Sequence, residues 1–573
     1  MYILGLTTLG DSAASLIKDG ELIAAVEEER FSRKKHHVGF PFKAVQFCLD
    51  YAGITLKDVE HVGLYWKPWV LRHKFMQAVK SAFVSPDMFR ARADRGVAQV
   101  SESYLGMFFH AKRLREHFGA SDFKFHFIEH HQSHAASAFF VSPFKTAAIL
   151  TWDGTGEDTT TLFCHGKDNK IKVLKRIKLP HSLGQFYSAV TNFIGFDMFG
   201  GDEWKIMGLA AYGKPKFYDF FTEKVLMTNG KKGDFRYDYK ILDHHLAKHY
   251  KFPEAIIKEL GQPRKPGSEL TEHHWNIACS AQKAVEDTAI YLTREIKEMT
   301  DEENLCMAGG VAFNSVMNGR IFHETPFKNF YVQPAAGDAG CSLGAALMIW
   351  HQKLGNPRKF VMKNAYYGPK FSNEECQKAL DKSGLKYETL PDEELLPKLA
   401  KMIADGAIIG WFNGRMEWGP RALGARSFVA DPRRKDMREI LNDKVKLREW
   451  FRPLAPSMLE EYGQEIFGVE HHDPFMITVI QVADEWKEKI PAVVHVDGTA
   501  RPQMVNKDVN PRYWNLINEF RKLTGIPLLL NTSFNVQEPI VCTPEDAVNT
   551  FNNANFDALV LENNLVLRSS AFS

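Results

Sequence analysis

The chain has 573 residues, with 72 Lys or Arg against 70 Asp or Glu, so its formal charge is +2 at pH 7 with His neutral. Hydrophobic residues make up 45% and charged residues 25%, which is typical of a soluble globular protein of two or three domains. No basic run is long enough to indicate nucleic-acid binding.

The chain begins with MYILGLTTLGD, which lacks the basic region of a signal peptide, and no apolar run reaches the length of about 18 residues needed to span a membrane. Seven cysteines without a CxxC pair argue against a disulfide framework and against a thiolate zinc site. We therefore expect a cytoplasmic protein with neither a membrane nor a nucleic-acid partner.

Residues 2–8 (YILGLTT) form a β-rich apolar run, followed by the loop GDSAAS and by SLIKDGELIAAV, whose Asp19-Gly20 pair predicts a hairpin. The same plan returns at 146–153 (TAAILTWD), with the loop DGTGED and a second hairpin, TTTLFCHGKDNKIKVL. Two related α/β halves facing a phosphate-binding cleft are typical of the actin, Hsp70 and sugar kinase folds. The sequence therefore predicts a duplicated domain of this class.

The segment NLCMAGGVAFNSVMNGRI (304–321) runs from a strand through Gly309 and Gly310 into a helix. Glycines let the backbone approach a nucleotide, and the start of a helix offers it free N–H groups. Taken alone, this segment is equally compatible with a strand-to-helix turn that binds nothing. Beyond the helix-like 341–354, GNPRKFVMKNAYYGPKFS resembles an interdomain connection, which places the boundary near 355–366 and the domains at 1–355 and 366–573.

Histidines four residues apart occur at 126/130, 130/134 and 245/249. His126 lies in an alternating, strand-like run, and 243–251 (DHHLAKHYK) predicts a solvated helix face. His130 and His134 can share one helical face, and the strand that follows them ends in Asp153.

From the residues alone, His130 and His134 are either metal ligands or a structural, hydrogen-bonded pair. A metalloprotease of the HExxH type is disfavoured, because position 131 is His where that motif needs Glu.

Seven motifs in order along the chain resemble the bacterial O-carbamoyltransferases, which include nodulation-factor, cephamycin and tobramycin carbamoyltransferases. They are HHQSHAASA, WDGTGE, EWKIMGLAAYGKP, MAGGVAFN, PAAGDAG, GPRALGARS and NTSFN. The resemblance implies an actin-like N-terminal carbamoyl transfer domain with a metal site and a smaller α/β C-terminal domain related to threonylcarbamoyl-adenylate synthase. The C-terminal domain would make carbamoyl-adenylate from carbamoyl phosphate and ATP with Mg²⁺, and the N-terminal domain would transfer the carbamoyl group to an acceptor hydroxyl.

The resemblance also implies site residues. The metal ligands would be His130, His134, Asp153 and Asp338, with Fe²⁺ favoured and Mn²⁺ or Zn²⁺ compatible. Gly309, Gly310 and Asn314 would contact the nucleotide. The alternative for the glycines is a close-packed turn that binds nothing, and the alternative for Asn314 is that it caps a helix. The carbamoyl phosphate and ATP site would comprise Arg421, Lys446, Arg452, Arg501, Asn531 and Ser533, with Lys444 a competitor of Lys446.

Arginine suits such a site, because its planar fork pairs phosphate oxygens two at a time. The small, apolar context GPRALG and the context FRPLAP predict that Arg421 and Arg452 are more than a solvated basic surface. That simpler explanation fits Arg433, Arg434 and Lys435.

One departure from the family concerns the general base. Members commonly carry His before the Asp of the first loop, whereas this chain has Gly10 before Asp11. The candidate bases are then Asp11, His36 and His37, and the alternative is that the metal suffices without a protein base. Lys35 resembles a position that faces the first domain's cleft, and Glu203 and Lys205 match positions near that cleft; an ordinary surface lysine is the alternative for Lys35.

The predicted acceptor is a small hydroxylated molecule of the natural-product type, and a homodimer is compatible with the resemblance. Two other classes are a sugar kinase or related ATPase, which would transfer the γ-phosphoryl group, and an ATP-binding regulatory module. Both leave the Arg421–Arg452 segment and NTSFN without a role.

Overall fold

The computed structural model describes residues 1–70, 72–98, 104–198, 200–228, 234–469 and 472–568. The chain folds into two compact units, an N-terminal unit of Met1–Glu28 with His36–Met362 and a C-terminal unit of Glu29–Lys35 with Lys363–Ser573. The division after Met362 lies in the segment that resembled a connection.

The segment Glu29–Lys35, with the short helix α1 (Glu29–Ser32), packs within the C-terminal unit, although the predicted range 1–355 includes it. The Arg30 guanidinium donates to the Gly419 carbonyl at 3.0 Å. Arg33 donates to the carbonyl oxygens of Pro539 at 2.6 Å and Ile540 at 2.8 Å. These contacts join positions about 390 to 510 residues apart in the chain, which no local pattern reveals.

Within the described residues, the N-terminal unit carries strands and helices in an alternating arrangement. Its strands are β1 (Tyr2–Thr7), β2 (Ala13–Lys18), β3 (Glu21–Glu27), β4 (Val59–Leu64), β5 (Lys124–Phe127), β6 (Thr146–Trp152), β7 (Thr159–Lys167), β8 (Lys170–Lys178), β9 (Leu226–Met227), β10 (Arg236–Tyr237), β11 (Asn304–Ala308) and β12 (Asn329–Val332). Its helices are α2 (Phe42–Ala52), α3 (Arg72–Ala82), α4 (Pro86–Ala98), α5 (Leu105–Met107), α6 (His110–Phe118), α7 (His130–Phe139), α8 (Leu183–Phe193), α9 (Glu203–Ala210), α10 (Tyr218–Phe220), α11 (His244–Ala247), α12 (Glu254–Leu260), α13 (Glu272–Thr300), α14 (Ser315–Glu324) and α15 (Asp338–Leu347).

Two sheets of this unit repeat one topology. Their strand orders are β3-β2-β1-β4-β5 and β8-β7-β6-β11-β12. In each, an antiparallel three-strand meander is extended by two parallel strands. The duplicated actin-like fold expected from the sequence is therefore confirmed. The predicted hairpin turn is also present, with φ of +50° at Asp19 and +89° at Gly20, a conformation that Gly and Asp tolerate better than most residues.

The C-terminal unit is built on one mixed sheet with the order β13-β22-β21-β14-β15-β20-β16-β19. Its strands are β13 (Glu388–Thr389), β14 (Ile409–Phe412), β15 (Arg426–Ala430), β16 (Ala455–Leu459), β17 (Ile480–Gln481), β18 (Thr499–Ala500), β19 (Gln503–Val505), β20 (Leu528–Ser533), β21 (Ala558–Leu561) and β22 (Asn564–Leu567). Its helices after α1 are α16 (Asn373–Ser383), α17 (Asp392–Ala404), α18 (Met437–Glu439), α19 (Gly463–Phe467), α20 (Asp484–Lys487), α21 (Pro511–Thr524) and α22 (Pro544–Asn553). No helix in the described ranges is long and apolar enough to cross a membrane.

The segment around α11 differs from the predicted solvated helix face. Asp243 is fully buried, caps α11 by accepting from the Leu246 N–H at 2.8 Å, and pairs with Arg92 at 2.5 Å. His244 is buried and His249 is exposed. The prediction was wrong for most of this segment because α11 packs against α8 and α4, which are distant in sequence.

Candidate metal centre and candidate anion site

His130 and His134 meet two carboxylates near the starts of α7 and α15. Their Nε2 atoms are 3.2 Å apart, and Asp153 Oδ2 lies 3.2 Å from the first and 3.0 Å from the second. Asp338 Oδ1 lies 3.8 and 3.9 Å from the same nitrogens. Two imidazole nitrogens and two carboxylate oxygens thus lie within 4.8 Å of one another, a set that could hold a metal ion.

Glycines in α15 and β1 allow these elements to approach closely enough to form the cluster. A Cβ added at Gly344 of α15 would lie 1.8 Å from the Ser133 carbonyl oxygen of α7. A Cβ at Gly5 of β1 would lie 1.8 Å from the Ser342 carbonyl oxygen of α15. Any larger residue at either position would push α15 away and separate Asp338, its first residue, from the histidines.

The electrostatics of the cluster favour a cation. Burial and the Asp153 and Asp11 charges raise the pKa of Asp338, because the carboxylates repel one another. Tyr65 donates its hydroxyl to Asp338 Oδ2 at 3.1 Å. Burial lowers the pKa of His130 to about 4, so this imidazole is neutral and keeps a lone pair for a ligand. Two nitrogen and two oxygen donors suit Fe²⁺, Mn²⁺ or Zn²⁺.

The second nitrogen of each imidazole is unusual for a metal site. His130 Nδ1 and His134 Nδ1 are buried and have no hydrogen-bond partner among the described residues. Metal-bound histidines generally donate that N–H to an acceptor. A second combination, His130 and His134 with Cys341, also gathers its ligand atoms, but burial raises the pKa of the Cys341 thiol and opposes the thiolate that a metal needs.

Glu157 supports the cluster from behind, and the sequence pointed to it only as the last residue of the DGTGE motif. Its carboxylate accepts a hydrogen bond from the backbone N–H of His130, the first residue of α7, at 3.2 Å. It also accepts one from the backbone N–H of Lys67 at 2.9 Å. Burial raises its pKa to about 7. Its role in the structure is to position the first turn of α7 and with it the His130 ring.

The predicted nucleotide loop lies beside the metal cluster, and Asn314 has a structural role. A Cβ at Gly310 would lie 3.0 Å from Asp153 Oδ1, and Gly309 has φ of +99°. Asn314 Oδ1 caps α14 by accepting from the Met317 N–H at 3.0 Å, and the Asn314 amide also exchanges hydrogen bonds with Gln282. This geometry is that of the helix-capping alternative.

Asp11 and His36 form a pair next to the metal cluster. His36 Nδ1 lies 2.7 Å from Asp11 Oδ1, and both residues have positive φ, +40° for Asp11 and +51° for His36. Outside glycine such φ values are uncommon and cluster at functional sites. A Cβ at Gly10 would lie only 3.1 Å from Asp338 Oδ2, so Asp11 follows directly on a backbone that borders the cluster.

The other predicted cleft residues have defined partners. Glu203 accepts a hydrogen bond from Ser188 Oγ at 2.6 Å. Burial raises the pKa of Glu203, and the nearby His36 charge partly offsets this rise. Lys205 Nζ pairs with Asp202 at 2.9 Å. Lys35 belongs to the C-terminal unit, where its charge contributes to the lowered pKa of Lys446. The backbone of Lys35 therefore packs with the other unit as part of Glu29–Lys35, and the expectation that its side chain faces the first domain's cleft stays a prediction.

Five cationic side chains gather in the C-terminal unit with few carboxylates among them. They are Arg421, Lys446, Arg448, Arg452 and Arg501. Burial lowers the pKa of Arg421 to about 10 and lowers the pKa values of Lys446, Arg448 and Arg501, and neighbouring cations add to the effect for the last three. Partly desolvated like charges are costly unless an anion offsets them. This cluster is the candidate anion site.

The nearby carboxylates differ in their partners. Glu449 Oε2 lies 3.6 Å from Arg452 Nη1, and its charge also acts on Arg448. Asp473, which acts on Arg421 and Arg501, accepts from the backbone N–H groups of Phe475, Ile477 and Thr478 at 2.8–3.0 Å. By contrast, two of the three basic residues left out of the predicted site form ion pairs with neighbouring aspartates, of which Asp431 is buried. Arg433 pairs with Asp431 at 2.6 Å and Arg434 with Asp436 at 2.7 Å.

The strand β20 and the loop after it hold Lys446 in place. Lys446 Nζ donates to the Ser533 carbonyl at 2.7 Å and to the carbonyl and side-chain oxygens of Asn535 at 2.9 Å. Asn531 donates to the Ala422 carbonyl at 2.9 Å, while its Oδ1 is buried without a partner among the described residues. The NTSFN motif thus organises the floor of the anion site.

Arg448 is the cation that the sequence did not single out. Its Nε donates to Asn442 Oδ1 at 2.7 Å, and its Nη2 is buried with no partner in the described parts of the chain. The charges of Arg448 and Arg452 act on each other and on Lys446. The signal available was its position in KLREWFRP, between two residues that were assigned to the site.

Comparison with known families and proteins agrees with the resemblance. The model described as "Carbamoyltransferase N-terminus" matches residues 2–347, and that described as "Carbamoyltransferase C-terminus" matches residues 400–568. The chain belongs to the carbamoyltransferase family. The enzyme is 41% identical to the uncharacterized protein sll1178 of Synechocystis over 99% of this chain and 97% of that one.

Two nodulation proteins are also similar to this carbamoyltransferase. NolNO of Sinorhizobium fredii is 36% identical over 99% of this chain and 80% of that protein. NolO of Bradyrhizobium diazoefficiens is 38% identical over 78% of this chain and 79% of that protein. Among solved structures, full-length HypF in its phosphate- and nucleotide-bound form covers 62% of this chain at 15% identity with a TM-score of 0.34, too low to support an inference about the sites.

In this carbamoyltransferase the two candidate sites lie in different units and in different family matches. The metal cluster is formed by residues of the N-terminal match, and the cation cluster by residues of the C-terminal match. Two separate chemical environments, one able to hold a metal and one able to hold anions, are thus available for carbamoyl transfer.

Proposed function

We propose that this carbamoyltransferase works in two half-reactions, an ATP-dependent activation of the carbamoyl group in the C-terminal unit and its transfer to an alcohol in the N-terminal unit. The observation that carries the proposal is the cluster of five cations in the C-terminal unit with lowered pKa values at four of them. Carbamoyl phosphate and the triphosphate of ATP are the multiply charged anions that such a cluster would offset.

In the first half-reaction, carbamoyl phosphate gives up inorganic phosphate to water, and the resulting carbamate oxygen attacks the α-phosphorus of ATP. The bond to the β-phosphate breaks, so the products are carbamoyl-adenylate, pyrophosphate and inorganic phosphate. Arg421, Arg452 and Arg501 would pair with phosphate oxygens, while Mg²⁺ would accompany ATP. Lys446 and Ser533 are held together by direct hydrogen bonds and would shape the pocket.

In the second half-reaction, the acceptor hydroxyl attacks the carbamoyl carbon and AMP leaves. His130, His134, Asp153 and Asp338 would hold a divalent metal, whose positive charge, when bound, supplies electrostatic stabilisation of the anionic leaving group. His36 would accept the hydroxyl proton, and Asp11 would orient its ring through the 2.7 Å contact, as a carboxylate orients histidine in other enzymes. Gly309 and Gly310 would allow the adenylate to approach.

We propose a small hydroxylated metabolite of the natural-product type as the acceptor. A product assay tests the whole scheme. ATP, carbamoyl phosphate and the purified enzyme should release pyrophosphate and phosphate in equal amounts, and addition of a hydroxylated acceptor should yield AMP and an acceptor heavier by one carbamoyl group. Formation of ADP without pyrophosphate would instead indicate a kinase and refute the proposal.

A further inference from the structure

The loop that carries Arg421 begins just after Glu417, a buried carboxylate with no part in the proposed half-reactions. Glu417 is 2% exposed, and its backbone forms an isolated antiparallel bridge with Tyr366. Its Oε1 atom accepts hydrogen bonds from three backbone N–H groups farther along the loop, which are those of Leu423 at 2.7 Å, Ala425 at 2.7 Å and Arg426 at 3.1 Å. One buried side-chain oxygen thus closes the loop on itself.

Other side chains hold the carbonyl groups of the same loop. The Leu423 carbonyl accepts hydrogen bonds from the Tyr366 hydroxyl at 2.6 Å and from Gln503 Nε2 at 2.7 Å. The Gly424 carbonyl accepts one from Trp411 Nε1 at 2.9 Å. These partners come from other segments of the C-terminal unit, so the loop is anchored to the body of that unit as well as closed by its own carboxylate.

The backbone is held on both sides of Arg421. Before it, the Gly419 carbonyl accepts a hydrogen bond from the Arg30 guanidinium at 3.0 Å. After it, the Ala422 carbonyl accepts one from Asn531 Nδ2 at 2.9 Å. An arginine on a fixed backbone loses less conformational freedom when it pairs with an anion than an arginine on a mobile loop, and it therefore binds the anion more tightly.

We infer that Glu417 is a positioning residue, which presents the Arg421 guanidinium to the phosphoryl group of carbamoyl phosphate by fixing the loop that follows. The inference rests on the proposed role of Arg421 in carbamoyl phosphate binding. Glutamine at position 417 would keep an acceptor oxygen for the backbone N–H groups, whereas alanine would leave all three without this partner. The two substitutions should therefore differ in effect, although both remove the charge.

Kinetics of the full-length enzyme test this difference in a pyrophosphate-release assay with varied carbamoyl phosphate. Glu417→Ala should lower kcat/KM for carbamoyl phosphate by roughly 10-fold, within the range for loss of the Arg421 contact itself. Glu417→Gln should retain most of the wild-type value. The matched control is Asp557→Asn, because Asp557 accepts from the Ile408 N–H at 2.8 Å elsewhere in this unit, and it should leave kcat/KM unchanged.

A double-mutant cycle separates positioning from a general structural role. If Glu417 acts through Arg421, Glu417→Ala should cause no further loss in an Arg421→Ala background, whereas independent effects would multiply. Tyr366→Phe removes only one hydroxyl from the loop and is a milder variant for the case that Glu417→Ala does not fold. It should lose less than Arg421→Ala does, and nothing more in the Arg421→Ala background.

Three results would overturn the inference: a multiplied loss in either double variant, equal losses in Glu417→Ala and Glu417→Gln, or a wild-type kcat/KM in Glu417→Ala. Failure of the proposed function is distinguishable, because the wild type would then release no pyrophosphate. Calorimetric binding of inorganic phosphate needs no turnover and tests the positioning in that case. Glu417→Ala should weaken this binding, and the double variant should match Arg421→Ala; wild-type binding by Glu417→Ala would refute the positioning role.

Discussion

Replacement of Arg421 by Ala separates a ligand-binding role from a structural one. The pKa of Arg421 is lowered to about 10 by burial, so its positive charge is poorly solvated in the folded protein. Asp473, the carboxylate whose charge acts on Arg421, is already held by three backbone N–H groups and should stay ordered without the guanidinium. Removal of one member of a cluster of like charges should therefore leave the melting temperature unchanged or slightly higher.

Ligand binding should respond in the opposite sense. One charge-assisted contact to an anion is worth about 1.5–3 kcal/mol, which corresponds to roughly a 10- to 100-fold loss. We expect Arg421→Ala to lower kcat/KM for carbamoyl phosphate by that factor in a pyrophosphate-release assay. Arg434→Ala, which removes a half-exposed arginine paired with Asp436, should have no effect on this assay.

The two half-reactions make the result decisive. Transfer from supplied carbamoyl-adenylate to an acceptor should be almost unchanged in Arg421→Ala, because the metal cluster lies in the other unit. Equal losses in both half-reactions would show that Arg421 acts elsewhere than in carbamoyl phosphate use. A large fall in melting temperature would show that the arginine is structural, and the reasoning from its lowered pKa would then be wrong.

Three further predictions concern histidines. His134→Ala should lower metal content and abolish acceptor carbamoylation but leave pyrophosphate release intact, whereas the exposed His249→Ala should change neither; full metal content in His134→Ala, measured by elemental analysis, would contradict the ligand assignment. His36→Gln should reduce transfer from carbamoyl-adenylate by about 10²–10⁴-fold with unchanged metal content, and retention of the wild-type pH profile would refute a base at this position. His110 is buried, and neither of its ring nitrogens has a hydrogen-bond partner among the described residues. Burial lowers its pKa to about 4. The stability that depends on the neutral ring is therefore complete above the unfolded-state pKa of about 6.5 and is lost as the pH falls towards 4. His110→Phe should therefore lose about 2 kcal/mol less stability than wild type between pH 7 and pH 5, and equal losses in thermal or urea unfolding would refute this.

Local sequence patterns predicted the structure correctly wherever a single short segment determines the backbone conformation or the surroundings of a side chain. The hairpin at Asp19-Gly20 forms because Gly, and Asp more readily than most residues, accept the backbone angles of a tight turn. The repeat of the β1–β3 plan at β6–β8 predicted two matching sheets, and both are present. The contexts of Arg421 and Arg433 separated a residue of the cation cluster from one that is paired with Asp431.

The tertiary structure decided what depends on partners far away in the chain. Helical spacing allowed His130 and His134 to share a face, but their approach to Asp338 requires α15 to pack closely on α7 through Gly344. The same dependence explains why Lys35 lies in the C-terminal unit and why Asp243 is buried against Arg92. Helix α3 shows the limit most clearly, since amphipathic spacing identifies an apolar stripe and only packing shows that it faces outward. Periodicity records which side chains share a face, whereas the free energy of burial depends on which surfaces meet that face.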